Sequence, residues 1–311
     1  MVFDAEAMAK IHAGLAAVRI PSWIDRPPTN LGEKAHGKLK ADNWLVLITV
    51  FFPLILPEMW YEGELDLTML RQICRRGKLY ASANDSIKFG DPESPTVKAL
   101  RILYGEDSIS DSTRNGERLS PMQETAHNGS GPILEASTYD MILSYWNQTY
   151  SPTYIHKSQL TYDLMNAGVR VLPTHAVELT HFKHNTRLFS IFRKNTGSSS
   201  ISFRHPATGQ KGFGYIQEVW KQALQGEYRM FVIIQPHTEL SPSDEAKTHL
   251  PTHPRFRSFA RYTNPQFLRP RLVVELRHII SHVPFYLRPE GTFGISPAIT
   301  LFVDCLVKGR D

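Results

Sequence analysis

The chain contains little cysteine, since Cys74 and Cys305 are the two that occur among its 311 residues. Two such distant cysteines cannot build the disulfide framework that small secreted domains use in place of a large core. The first ten residues carry acids where a secretory signal peptide needs a basic region. The sequence therefore excludes a disulfide scaffold and predicts an intracellular protein.

Long apolar runs are also missing. The most apolar run, residues 44–57, has 14 residues and is interrupted by Pro53, whereas a helix that crosses a bilayer needs about 20. Glutamates follow at once, beginning with Glu58. We therefore predict a helix buried in the protein core, and we expect no membrane partner.

Several motifs of catalytic sites are absent. The chain has no Gly-x-Ser-x-Gly elbow, no Walker A loop and no Gly-x-Gly-x-x-Gly. Three histidines in residues 175–184 lack the cysteines or the His-Glu-x-x-His pattern of zinc sites. The acids between Glu58 and Asp66 could hold divalent ions, although acids just past a helix end commonly form a solvated turn. We predict no catalytic residue, no metal site and no cofactor.

What the chain does have is an uneven distribution of charge. Its net charge is +5, but residues 151–311 carry 20 Lys/Arg against 11 Asp/Glu, and the rest carries 15 against 19. The C-terminal part is therefore +9 and the remainder −4. A basic half of this kind is compatible with binding of a polyanion, and equally with a plain basic surface.

Apolar spacing and composition divide the chain into three parts. Residues 4–19 repeat apolar side chains at spacings of three and four, which predicts a helix. A second helix is expected from Glu33 to Phe52, where Pro53 kinks or stops it. We predict a helical segment over residues 1–80, a disordered linker over 81–136, rich in Ser, Asp, Asn, Gly and Pro, and a helix plus a basic β-module over 137–300.

The β-module is predicted from short alternating segments separated by turns. We expect residues 187–193 to pair with 200–204, two further strands at 213–220 and 228–235, and a last pair formed by 272–276 and 278–283. A small barrel of the SH3-like type is the most economical closure of these strands. The predicted fold class is α+β, with N-terminal helices, a disordered middle segment and a small antiparallel C-terminal β-barrel.

The stretch Pro254–Arg271 interleaves arginines with aromatic residues. Guanidinium groups pair with phosphates and aromatic faces stack on bases, so this mixture suits nucleic acid. The alternative is an irregular connection that packs its aromatic side chains on the barrel and leaves its arginines in water. The predicted nucleic-acid-binding residues are Arg255, Arg257, Phe259, Arg261, Tyr262, Arg269 and Arg271.

Part of this sequence resembles a known protein family. The segments Ile20–Trp23, Arg26–Pro28 and Gly32–Trp44 are similar to the C-terminal part of CACTA-type (En/Spm-like) transposases, in particular to copies in mushroom-forming fungi. The β-module that ends those proteins is similar to Arg187–Ser190, Lys194–Ile201, Gly212–Val219 and Tyr228–Ile234.

The resemblance implies descent from an enzyme that moves DNA with an RNase-H-like core, in which three acids hold two Mg²⁺ ions. Most of that core precedes the part that this chain resembles. Residues 61–135 depart from the family pattern, so no catalytic role is carried over to any residue. We expect a truncated, non-catalytic, nuclear fragment that binds DNA or chromatin. The alternatives are a protein–protein interaction module with a groove on the barrel, a divalent-metal nuclease, and a functionless relic.

Overall fold

Helices and antiparallel sheets make up the described part of the chain. The structure is a computed structural model, and it describes residues 5–32, 41–61, 122, 131–151, 153–167, 169–185, 187–248, 260–265 and 270–303. The helices are α1 Ala5–Ala17, α2 Ala41–Val46, α3 Phe52–Tyr61, α4 Ala136–Thr149, α5 Tyr162–Asn166, α6 Thr196–Ser199 and α7 Pro242–Glu245. The strands are β1 Val177–Glu178, β2 His181–His184, β3 Arg187–Ser190, β4 Ser200–Arg204, β5 Lys211–Leu224, β6 Glu227–Pro236, β7 Thr238–Glu239, β8 Ala260–Asn264, β9 Leu272–Val274, β10 Ile279–His282, β11 Phe285–Arg288 and β12 Ile299–Val303.

Helix α1 confirms the helix predicted near the N-terminus. Ile11, Leu15 and Val18 are buried, because their spacing of three and four residues places them on one face. The carbonyl oxygens at its end would lack helical donors. The Arg26 guanidinium supplies them by donating to the carbonyls of Leu15 and, at 2.8 Å, Val18.

The second helix continues past Pro53, so of the two expected outcomes, a kink or a stop, the stop is wrong. Residues Leu47–Phe51 are π-helical and join α2 to α3, which ends at Tyr61. The wider turn shifts the hydrogen-bond partners, so that the Phe52 N–H donates to the Leu47 carbonyl, and a proline directly after the shift breaks no regular α-helical ladder. The predicted helix start at Glu33 lies outside the described residues, as do residues 62–80 of the predicted helical segment.

The N-terminal helices share one hydrophobic core with the C-terminal strands. Leu15, Phe51 and Leu54 pack in the same buried cluster as Leu301 and Val303 of β12. A Cβ at Gly14 would lie 2.8 Å from side-chain carbons of Ile55, so glycine permits the close approach of α1 and α3. The apolar run 44–57 therefore contributes to this core. No helix among the described residues has both the length and the apolar character to cross a membrane.

The larger sheet has six strands, all antiparallel. Its path is β10-β4-β5-β6-β9, and β1 pairs with β5. Two predicted pairings are wrong: β3 pairs with β2, not with β4, and β9 and β10 do not pair with each other. The second sheet has the order β11-β12-β8-β7, and none of these four strands was predicted.

A short connection forces the larger sheet to roll. Its edge strands β9 and β10 would be about 19 Å apart across four strand spacings in a flat sheet. The chain from Val274 to Ile279 reaches about 17 Å when fully extended, and Leu276–His278 form a compact 3₁₀ turn within it. The two edges therefore approach each other. Among the described strands, however, no hydrogen-bonded ladder joins β9 to β10, so the predicted closed SH3-like barrel is not confirmed.

Helix α4 packs against the outside of the rolled sheet. Ile142, Tyr145 and Trp146 are buried with Phe231 and Ile233 of β6, which confirms the predicted helix. The inner face of β6 is buried as well, so this strand lies between two apolar layers.

The capping box expected at the start of α4 does not form. The N-cap is Glu135, which makes no side-chain capping bond, while the Ser137 hydroxyl accepts a bond from Arg271 at 3.0 Å. The predicted linker, residues 81–136, lies outside the described residues apart from 122 and 131–136, as does its boundary with the helical segment.

Candidate nucleic-acid interface

Positive charge is concentrated in one stretch of the sequence. Residues 179–217 contain six Lys/Arg and no Asp or Glu. They form β2, β3, α6, β4 and the first half of β5, and of their cations Arg193 pairs with Glu178, which lies just outside the stretch. The charge totals for residues 151–311 do not show this concentration, because they average over the whole half of the chain. The absence of Asp and Glu from residues 179–217 can nevertheless be read directly from the sequence. The six cations are Lys183, Arg187, Arg193, Lys194, Arg204 and Lys211.

A cleft of about 600 Å³ lies at one end of the rolled sheet. Its walls come from the end of β4, the start of β5, the β6–β7 junction, β8 and the start of β9. It therefore lies between the two sheets and combines residues that are far apart in sequence. Its lining includes the charged or titratable residues His205, Lys211, His237, Glu239, Glu245, Arg261 and Arg271.

The β4–β5 turn fixes one wall of the cleft. Arg204 and Lys211 face each other across the first pair of the hairpin, and both are exposed. The turn between them is closed by a bond from the His205 N–H to the Gln210 carbonyl at 2.8 Å, and Gly209 takes the left-handed conformation it needs, with φ of +69°. The Lys211 ammonium lies 5.9 Å from the centroid of the Phe213 ring. This turn therefore presents cations on an ordered scaffold.

Arg261 reaches the cleft from the opposite wall. Its guanidinium lies 3.5 Å from the Glu239 carboxylate, and the two side chains are 57% and 78% exposed. An ion pair so open to water contributes little to stability. Arg261 can therefore exchange its carboxylate partner for another anion at low cost.

Arg271 is held more firmly. It pairs with Glu218 and also donates to the Ser137 hydroxyl. Glu218 in turn accepts bonds from the Thr138 hydroxyl at 3.0 Å and from the Trp220 indole at 2.8 Å. Arg271 is thus a positioned charge at the rim of the cleft, and its partners tie β9 to α4 and β5.

Of the seven residues predicted from sequence, the structure describes three. Arg261, Tyr262 and Arg271 all line the cleft, whereas Arg255, Arg257, Phe259 and Arg269 lie outside the described residues. Tyr262 is 5% exposed and packs edge-on against Phe293 in the core that the N-terminal helices share. Because side chains alternate along β8, Arg261 faces water and Tyr262 faces the core, so a base cannot stack on the Tyr262 ring in this conformation.

The floor of the cleft contains a buried histidine. His237 is 6% exposed, and its Nδ1 atom lies 2.9 Å from the Thr263 hydroxyl. The rings of Tyr215 and Phe302 pack against it. Burial lowers the pKa of His237 to about 3, so it is neutral at physiological pH and adds no positive charge to the cleft.

A second polar cluster surrounds a fully buried carboxylate, Glu275. It accepts a bond from the Tyr150 hydroxyl at 2.5 Å and pairs with Arg277 at 3.0 Å and Arg229 at 3.9 Å. Burial, and then the bond to Glu275, raises the pKa of Tyr150 well above its usual value. With two cations and a hydroxyl on a carboxylate that solvent does not reach, this arrangement suits a structural junction between α4, β6 and the 3₁₀ turn.

Within the described ranges, no three of the His, Cys, Asp or Glu side chains are grouped closely enough to hold a metal ion. The acids from Glu62 to Asp66, on which the nuclease alternative depends, lie outside those ranges, as does the side chain of Glu58. Comparison of this chain with protein-family models, with curated proteins and with solved structures gave no match.

Proposed function

We propose that this protein binds nucleic acid through the cleft between its two sheets. The observation that carries the proposal is the convergence of Lys211, Arg261 and Arg271 on this one cleft. Lys211 and Arg261 lie in β5 and β8, Arg271 directly precedes β9, and the stretch that supplies Lys211 has no acid over 39 residues. Cations presented on ordered strands at a concave surface suit a phosphate backbone.

Binding requires Arg261 to change partners. Glu239 is an exposed residue, so a phosphate that enters the cleft replaces its carboxylate beside Arg261 without burying an unpaired charge. Arg271 remains bound to Glu218 at the rim, while Lys211 contributes a compact ammonium at the end of a flexible side chain. Release of counterions from the phosphates then drives association.

We also propose an evolutionary origin and a cellular location for the protein. The resemblance of Ile20–Trp23 and Gly32–Trp44 to CACTA-type transposases supports a transposon-derived protein that acts on DNA or chromatin in the nucleus. The role we propose is binding without catalysis, and no cofactor is required for it.

A salt titration with the full chain tests the proposal. Binding of a fluorescent DNA duplex is measured by anisotropy over a range of KCl concentrations, and we expect affinity to fall steeply with salt, with a slope of about −0.9 per phosphate contact. Lys211→Gln and Arg261→Gln should each weaken binding at every sequence and reduce the slope by about 1.

Lys10→Gln is the matched control, because Lys10 forms an exposed ion pair with Glu6, at 3.4 Å, that resembles the Arg261–Glu239 pair but lies on α1. Absent or salt-insensitive binding would reject the proposal and favour a protein–protein interaction module. Incubation of the same duplex with Mg²⁺ checks the non-catalytic role, since cleavage would contradict it.

A further inference from the structure

Trp23 is a large aromatic residue that is held in place yet remains 41% exposed. It lies at the corner of a turn that is closed by a bond from the Ile24 N–H to the Pro21 carbonyl at 3.1 Å. Its indole N–H donates to Nδ1 of the buried His282 at 3.2 Å. The ring is therefore anchored at one edge, and part of it stays exposed to solvent.

The backbone beneath Trp23 is fixed by contacts with the turn before β4. The Ser22 N–H donates to the Ser198 hydroxyl at 3.0 Å, and the two hydroxyl groups are also hydrogen-bonded. Gly197 lies so close that a Cβ there would be 1.9 Å from the Ile20 carbonyl oxygen. Trp23 is therefore preorganised, which lowers the entropic cost of using it as a contact surface.

A cation accompanies the ring. The Arg187 guanidinium lies 4.5 Å from the Trp23 ring centroid, within the range of a cation–π interaction. Arg187 belongs to the acid-free stretch 179–217. A partly exposed aromatic ring with a guanidinium over it, contributed by a strand that carries no acid, is a combination that single-stranded nucleic-acid binders use for base stacking.

We infer that Trp23 and Arg187 form a stacking platform for an unpaired base of a single-stranded nucleic acid. The base lies on the exposed part of the indole, and Arg187 supplies positive charge for the adjoining phosphate. The platform is distinct from the cleft, which neither residue lines. The inference rests on the proposed nucleic-acid binding, to which it adds a preference for unpaired bases.

The test compares a short fluorescent oligothymidylate with an abasic oligonucleotide of the same length, each titrated with the full chain. The two probes have the same phosphates but differ in bases. We expect the wild-type protein to bind the oligothymidylate about 5- to 100-fold more tightly. Trp23→Leu should abolish most of this preference, whereas Trp23→Phe should retain much of it.

Trp23→Leu and Trp23→Phe both remove the hydrogen bond to His282. A difference in probe binding between the two variants is therefore due to the aromatic ring. Trp44→Leu is the matched control, because Trp44 is 46% exposed in α2. Equal binding of both probes by the wild-type protein, with Lys211→Gln still weakening both, would overturn the platform and leave the cleft proposal intact. A preference that persists in a folded Trp23→Leu variant would also overturn it. Failure of the wild-type protein to bind either probe would overturn the platform, and failure to bind the duplex as well would reject both proposals.

Discussion

At the scale of single residues, burial determines the charge state of His237. Its ring is enclosed by Tyr215, Thr263 and Phe302, and the part of the chain that the structure describes offers no partner for its Nε2 atom. Protonation would place an uncompensated charge in this apolar site, which is why its pKa lies near 3.

This pKa predicts a specific acid sensitivity. Between the ordinary histidine pKa of about 6.5 and the folded value of about 3, the unfolded chain takes up a proton that the folded chain does not. Stability therefore falls as pH falls, by about 2 kcal/mol at pH 5 from this residue alone. We expect His237→Gln to lose less stability than the wild type between pH 7 and pH 5 in urea denaturation.

His181→Gln is the matched control, since His181 is exposed on β2. An identical pH dependence of unfolding in wild type and His237→Gln would show that His237 is protonated in the folded protein as readily as in the unfolded chain.

At the scale of secondary-structure elements, Glu275 acts as a junction. Its carboxylate contacts Tyr150 at the end of α4, Arg229 on β6 and Arg277 in the 3₁₀ turn that leads to β10. The roll of the larger sheet depends on this short connection, so the junction holds together the point at which the two sheet edges approach.

Replacement of the carboxylate should loosen these elements together. Glu275→Gln leaves Arg229 and Arg277 next to a neutral amide, and we expect a loss of about 2 to 3 kcal/mol in the free energy of unfolding. Glu178→Gln is the control, because its partner Arg193 is 62% exposed, and its cost should stay below about 1 kcal/mol. Equal costs for the two variants would contradict the role assigned to Glu275.

The secondary-structure elements also show which parts of the fold can be predicted from the sequence. Periodicity located α1, α4 and six of the twelve described strands (β3 to β6, β9 and β10), because burial of a strand or helix face imposes it directly. It could not assign partners: β3 alternates in the same way whether it pairs with β2 or with β4. A glycine inside a strand pattern indicates a close backbone approach, and at Gly214 a Cβ would lie 2.6 Å from the Gln235 carbonyl oxygen on β6. For the cleft, composition predicted that arginines take part. Composition could not predict which side chains face water and which aromatic residues enter the core, because that depends on how β8 packs.

At the scale of the whole molecule, the two ends of the described chain depend on each other. Phe51 and Leu54 cover β8 and β12 within one core, so the N-terminal helices are not an independent unit. Deletion of residues 1–61 should expose the apolar side chains of these strands. We expect the shortened protein to bind a hydrophobic dye and to lose its cooperative thermal transition.

Removal of residues 1–4 alone is the control, since Met8 is the first described residue that packs against this core. A truncated protein that still unfolds in one sharp transition would mean that the C-terminal sheets fold without the helices.

Because this core is shared by the two ends of the described chain, its halves are synthesised at different times. Phe51 leaves the ribosome roughly 250 residues before Ile299 and Leu301, its partners in the core, a delay of about 12 to 50 s at ordinary translation rates. Throughout that interval the apolar residues of α2 and α3 have no strand to cover them. The nascent chain is therefore expected to need a chaperone to shield residues 44–57 until the last strand emerges.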